Sequence, residues 1–107
     1  MTVPEISAAD AAARRGHPGV VFLDVREPDE HAAARIEGAA FVPMREVPAR
    51  LAELDSGSEI IVFCHLGTRS AMVVDWLRRN GFPSAVNLAG GIDAWSLEVD
   101  PEVPRYR

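Results

Sequence analysis

Glu59-Ile60-Ile61-Val62-Phe63 runs directly into Cys64-His65-Leu66-Gly67-Thr68-Arg69-Ser70. The first half is the clearest strand in the chain, apolar and rich in β-branched residues. The second half is a tight loop holding one glycine, and it opens a helix from about Thr68 to Asn80 that Gly81 ends. On that helix Met72, Val73, Trp76 and Leu77 form an apolar stripe, with Asp75, Arg78 and Arg79 opposite. Strand, tight loop, helix is the elementary unit of an α/β domain.

The rest of the chain repeats this alternation. Val3 to Ile6 reads as a short strand; Ser7 caps a helix running to Arg15, with Asp10 placed for a capping box and Gly16 as the left-handed stop. Val20-Val21-Phe22-Leu23 is continuously apolar, the pattern of a strand buried on both faces in a parallel sheet. Pro28 to Ala34 fits a short helix with proline at its first position, Ala39 to Val42 a weak strand, and Met44 to Leu54 a helix with Pro48 near its first turn. Ala85 to Leu88 is the last strand, Gly90-Gly91 opens a helix to about Leu97, and residues 98–107 read as an extended tail. The expectation is one small α/β domain over 1–107 with a largely parallel sheet. In such sheets ligands sit beyond the carboxyl ends of the strands, where Cys64 stands.

Composition narrows the functional classes. The 107 residues include 11 basic and 16 acidic ones, for a net charge of −5. This balance argues against a nucleic-acid surface. No apolar run is long enough to cross a bilayer. The N-terminus shows no signal-peptide pattern, so the expected location is the cytoplasm. All the basic residues are Arg, which excludes lysine Schiff-base and P-loop chemistry. The single cysteine excludes an internal disulfide, CxxC redox chemistry and Cys-rich zinc sites. Three scattered His beside it make a weak case for a metal; neither a metal nor a cofactor is expected.

Cys64 carries the chemistry. A lone cysteine after an apolar strand is often a small core residue, but a core residue needs no glycine-containing turn and Thr-Arg-Ser helix opening behind it. The leading N–H groups of a helix have no internal partner and, with the loop amides, can converge on one anionic centre. A free thiol near pKa 8.5 needs a shift of only about two units to be mostly thiolate at neutral pH. Gly67 allows a positive φ inside the loop, and Arg69 adds a permanent charge near the sulfur or its anionic substrate. His65 is a poor base for Cys64, because neighbouring residues on an extended loop seldom aim side chains at each other; His17 and His31 read as solvated. Asp24, Arg26 and Glu27 either line the same crevice or form a structural ion pair and helix cap. Gly90-Gly91 reads as close backbone packing before a helix.

Four segments together resemble the rhodanese family: Leu23-Asp24-Val25-Arg26-Glu27, Ile36-Glu37-Gly38-Ala39, the Cys64–Ser70 loop, and Leu88-Ala89-Gly90-Gly91 with Trp95. The Cys-x-x-Gly-x-Arg-Ser loop is the most specific of them. The resemblance implies a five-stranded parallel sheet flanked by helices on both faces, and sulfur transfer through a cysteine persulfide. It implies Cys64 as the nucleophile, His65, Leu66, Gly67, Thr68 and Arg69 as the substrate-cradling loop, and Arg26 as a further anion-binding residue. Arg35 and Phe41 depart from the family's frequent His and Asn. The implied donor is thiosulfate or a persulfide, and the implied acceptor is cyanide, a thiol or a sulfur-carrier protein. The active loop and the segment from Ala89 to Pro101 are most similar to rhodanese domains fused to E1-like adenylyltransferases of molybdopterin and thiamine pathways. The rival readings are a persulfide carrier without turnover, an interaction module, and a Cys-based phosphatase or arsenate reductase. The phosphatase loop of the resembling families is one residue longer between Cys and Arg; the shorter ring here suits a single sulfur atom.

Overall fold

A computed structural model describes residues 2–106. Its elements are β1 (Glu5–Ile6), α1 (Ala8–Arg14), β2 (Val20–Asp24), α2 (Pro28–Ala33), β3 (Ala40–Phe41), two 3-10 helices (Met44–Glu46 and Pro48–Glu53), β4 (Glu59–Phe63), α3 (Thr68–Arg79), β5 (Ala85–Leu88) and α4 (Gly91–Glu98). The strands form one sheet in the order β1-β5-β4-β2-β3, and every pairing is parallel. The five-stranded parallel sheet is therefore as expected.

Side-chain alternation along β4 divides the core in two. Ile60, Val62 and Cys64 face one layer, with Leu23 and Val25 of the β2 strand and its exit. There they meet Val73, Val74 and Leu77 of α3 and Val47 between the 3-10 helices. Ile61 and Phe63 face the other layer, with Phe22, and meet Ala8 and Ala11 of α1 and Ile92 and Trp95 of α4. Helices thus cover both faces. Burial on both sides is why β2 and β4 read as continuous apolar runs rather than alternating ones.

Local signals account for most boundaries. The Ser7 hydroxyl accepts the Asp10 N–H at 3.1 Å and starts α1. Pro28 opens α2, where the side chains of Glu27 and Glu30 cap each other's backbone.

Three expectations are corrected. Met44 to Leu54 is not one α-helix but two 3-10 segments with a kink at Arg50 (φ −111°, ψ 18°). Pro48 has no N–H to donate four residues back, and the backbone bonds instead run Val47 to Met44, Arg50 to Val47 and Leu54 to Leu51. The buried stripe of α3 is Ser70, Val73, Val74 and Leu77. Met72, placed in that stripe from sequence, is 43% exposed, and with Trp76 it borders an apolar groove against Met44 and Pro48. The tail does not simply extend. It turns after Asp100, where the Val103 N–H returns to the Asp100 carbonyl at 3.1 Å. The Val103 carbonyl accepts the Ser96 hydroxyl at 2.6 Å, which directs the remaining residues back over the domain.

Candidate active site

Cys64 leaves the carboxyl end of the central strand β4 with its side chain toward α3. The residue is 1% exposed, but the surroundings of its sulfur are polar on one side. The Gly67 N–H donates to Sγ at 3.1 Å and the Ser70 N–H at 3.4 Å. The Ser70 hydroxyl lies 3.3 Å from Sγ and 2.6 Å from Asn87 Oδ1, and its one proton serves one acceptor at a time. This places the sulfur at the N-terminus of α3, a twelve-residue helix whose aligned peptide dipoles favour negative charge there.

The loop holds this shape because its carbonyls are claimed from outside. The amides of Ile92 and Asp93, in the first turn of α4, donate to the Cys64 carbonyl at 2.9 Å and the His65 carbonyl at 3.2 Å. In a trans peptide the next N–H points opposite to the carbonyl, so the His65 and Leu66 N–H groups face away from α4. Among the described residues neither they nor the N–H groups of Thr68 and Arg69 meet a protein acceptor. Asn87 completes the frame, donating to the Gly67 carbonyl at 3.1 Å. Two glycines make the close approach possible. Gly67 has φ +112°, and a Cβ on Gly91 would stand 2.4 Å from the His65 carbonyl oxygen and 2.6 Å from that of Cys64.

Of the residues singled out from sequence, Gly67 contacts the Cys64 sulfur through its N–H, whereas the Arg69 guanidinium is bonded to Glu30. Leu66 is 60% exposed at the rim, with Thr68 also exposed. The His65 ring stacks on Tyr106, centroids 4.1 Å apart at 17°. Arg26 is 0% exposed. Its five N–H groups go to Asp24 (2.8 and 2.7 Å), the carbonyls of Glu30 (3.2 Å) and Ala34 (2.6 Å), and the Tyr106 hydroxyl (3.1 Å). With no donor left for a substrate anion, Arg26 is the structural ion pair of the two alternatives, and Asp24 is shared with His31 at 3.0 Å.

Arg69 is gripped from two points by Glu30, at 2.6 and 2.9 Å. That pair is the first cause raising the arginine's pKa, with the charge of Cys64 a smaller one. On the other side the hydrogen bond from Arg69 leads in holding the Glu30 carboxyl down to about 2. The Tyr106 hydroxyl donates to Glu30 at 2.8 Å. Burial first, and that donation after it, push the phenol up to about 12 against the opposing pull of Arg26. Glu30, Ser70, Asn87 and Tyr106 are the site residues that sequence reasoning missed. Ser70 stood inside the loop motif and was the one within reach; the others come from segments 17 to 80 positions away from their partners.

Comparison with known proteins gives one consistent picture. The Rhodanese-like domain family matches residues 7–98. The putative sulfurtransferase YtwF of Bacillus subtilis is 33% identical over 103 residues, covering 95% of this chain and 99% of that protein. The Rhodanese-like/PpiC domain-containing protein 12 of Arabidopsis thaliana is 40% identical over 79% of this chain, which spans only 30% of that relative. The probable adenylyltransferase/sulfurtransferase MoeZ of Mycobacterium tuberculosis is 33% identical over 81% of this chain, again a fraction (23%) of the relative. Among solved structures, a rhodanese-related protein of Thermoplasma volcanium superposes with a TM-score of 0.81 at 31% identity, covering 90% of this chain and 93% of its own.

Proposed function

This chain belongs to the rhodanese-like domain family, and from that premise we propose that it is a sulfurtransferase whose Cys64 carries the sulfur as a persulfide. The observation that carries this reading is the convergence of the Gly67 and Ser70 N–H groups on Sγ at the N-terminus of α3. Two backbone N–H donors at a helix N-terminus, aimed at one sulfur, suit an anion.

Two displacements follow. Cys64 thiolate attacks the outer sulfur of thiosulfate; the new bond joins Sγ to that sulfur, the S–S bond of the donor breaks, and sulfite leaves with the electron pair. The enzyme is left as Cys64–S–S⁻. The outer sulfur takes its place among the loop amides, where the N–H groups of His65, Leu66, Thr68 and Arg69 have no competing protein acceptor among the described residues. A thiophilic acceptor then attacks that sulfur and regenerates the thiolate. With cyanide the product is thiocyanate; a small thiol, or a cysteine thiol of a sulfur-carrier protein, attacks in the same way and leaves as its own persulfide. The lone cysteine leaves no internal thiol to resolve the persulfide, so the acceptor comes from outside. A reducing cytoplasm suits this chemistry.

Single-turnover transfer tests the proposal. The protein is loaded with thiosulfate, freed of donor and mixed with cyanide. The wild type releases one thiocyanate per loaded cysteine and Cys64→Ser none; steady-state kinetics are ping-pong. A protein that loads but surrenders its sulfur to no acceptor is a carrier or interaction module, and the enzymatic reading fails.

A further inference from the structure

Among the described residues no cation at the site is free. Arg69 is neutralised through both terminal nitrogens by Glu30, and Glu30 is itself fixed by the Tyr106 hydroxyl and the Glu27 N–H, at 2.8 and 3.1 Å. Arg26 is buried against Asp24, Arg105 is paired with Asp93 at 2.8 Å, and Arg45 with Glu27 at 2.9 Å. Arg15 and Arg78, which bond to backbone carbonyls instead, lie at the C-terminal ends of α1 and α3, the far end of the sheet from Cys64. The chain as a whole carries −5. The loop therefore offers oriented backbone dipoles to a sulfur but no net positive side-chain charge among the described residues to a dianion. Leu66 adds an apolar, 60% exposed rim where the stem of an organic donor would lie.

We propose that Glu30 is a specificity-determining residue: by cancelling Arg69 it biases Cys64 toward alkyl persulfide donors and away from the dianion thiosulfate. The inference rests on Cys64 as the sulfur carrier. The preferred loading step is Cys64–S⁻ + R–S–SH → Cys64–S–SH + R–S⁻. The Sγ–S bond forms, the donor S–S bond breaks, and the electron pair leaves on the alkyl thiolate; no oxidant or reductant is consumed. Loading from thiosulfate balances equally well, with sulfite as leaving group, but brings two negative charges to a site whose one nearby cation is already matched. Releasing that cation is worth about tenfold for a dianion at water-like screening and much less for a donor of low charge.

The test measures the rate of Cys64 persulfide formation by quenched-flow intact mass spectrometry, with thiosulfate and with the persulfide of 2-mercaptoethanol. In Glu30→Gln, thiosulfate loading at low salt rises about tenfold and alkyl persulfide loading changes by less than about twofold. The gain disappears in the Glu30→Gln/Arg69→Gln double variant. Wild-type protein supplies a second measurement that no folding defect can spoil. With Arg69 cancelled, its thiosulfate loading stays flat or rises with added sodium chloride; an uncancelled cation makes it fall. Unchanged or slower thiosulfate loading in Glu30→Gln with normal alkyl persulfide loading overturns the proposal, as does a steep fall with salt in the wild type. Loading by neither donor overturns the sulfur-transfer reading, and the proposal with it.

Discussion

The phenol ring of Tyr106 lies on the imidazole of His65, 4.1 Å away and within 17° of parallel, and ties the tail to the active loop. The same hydroxyl bridges Arg26 and Glu30, at 3.1 and 2.8 Å. Tyr106→Phe keeps the stack and loses the bridge; Tyr106→Ala loses both. We expect urea unfolding to show a cost of about 1 kcal/mol for Phe and about 2–3 kcal/mol for Ala. Wild-type stability in Tyr106→Ala would mean that the tail is not docked.

Arg26 holds the end of β2 to α2 and to the tail rather than facing substrate. Arg26→Lys cannot reproduce five N–H donors in a fork and leaves the fully buried Asp24 poorly paired. The expected loss is about 3–5 kcal/mol, read as a large drop in the thermal midpoint. Unchanged stability with a weakened thiosulfate KM would instead place Arg26 in the substrate site.

Gly91 is where the loop and α4 touch. Gly91→Ala forces a Cβ within 2.4 Å of the His65 carbonyl at φ +62°. That contact is with backbone, so the loop must move. Gly81→Ala, at φ +93° with nothing within 4 Å, is the control. The control loses about 1 kcal/mol, whereas Gly91→Ala loses about 3 kcal/mol or more together with sulfur loading. Equal effects at the two positions would show that the close approach is not what holds the loop.

The fold was legible in sequence where one segment sufficed to reveal it. The continuous runs of Val20–Leu23 and Glu59–Phe63 could only be strands covered on both faces, and the glycine loop behind Cys64 could only be a turn into a helix. Long-range pairing was not legible. Nothing near Arg69 announces Glu30, 39 positions away, and nothing near Arg26 announces Tyr106, 80 positions away. Position alone left Arg26 either facing the crevice or in an ion pair, and only the family resemblance implied an anion binder; its neighbour Asp24 draws it inward. Met44–Leu54 has helical composition, but Pro48 falls where an α-helix needs a donor, and the chain tightens to 3-10 bonding.

Glu30 makes stability depend on pH. Its carboxyl lies at about 2 in the folded state against an ordinary 4.5, held there first by Arg69. A carboxyl depressed by folding contributes stability above its unfolded value, and the contribution is lost as pH falls toward the folded one. The pair is partly open to solvent, so its worth is discounted to about 1–2 kcal/mol at neutral pH. Glu30→Gln should therefore be less stable than wild type by that amount near neutrality, with the gap closing between pH 4.5 and about 2. Urea midpoints across this range check it; a gap that persists at the acid end would assign the loss to packing.

Intact mass spectrometry of the protein after exposure to a sulfane donor bears most directly on Cys64 as sulfur carrier. Wild type should gain one sulfur atom, lose it again on addition of cyanide with thiocyanate released, and show no gain as Cys64→Ser. A wild-type mass unchanged by both thiosulfate and an alkyl persulfide, or an equal gain in Cys64→Ser, would contradict the account.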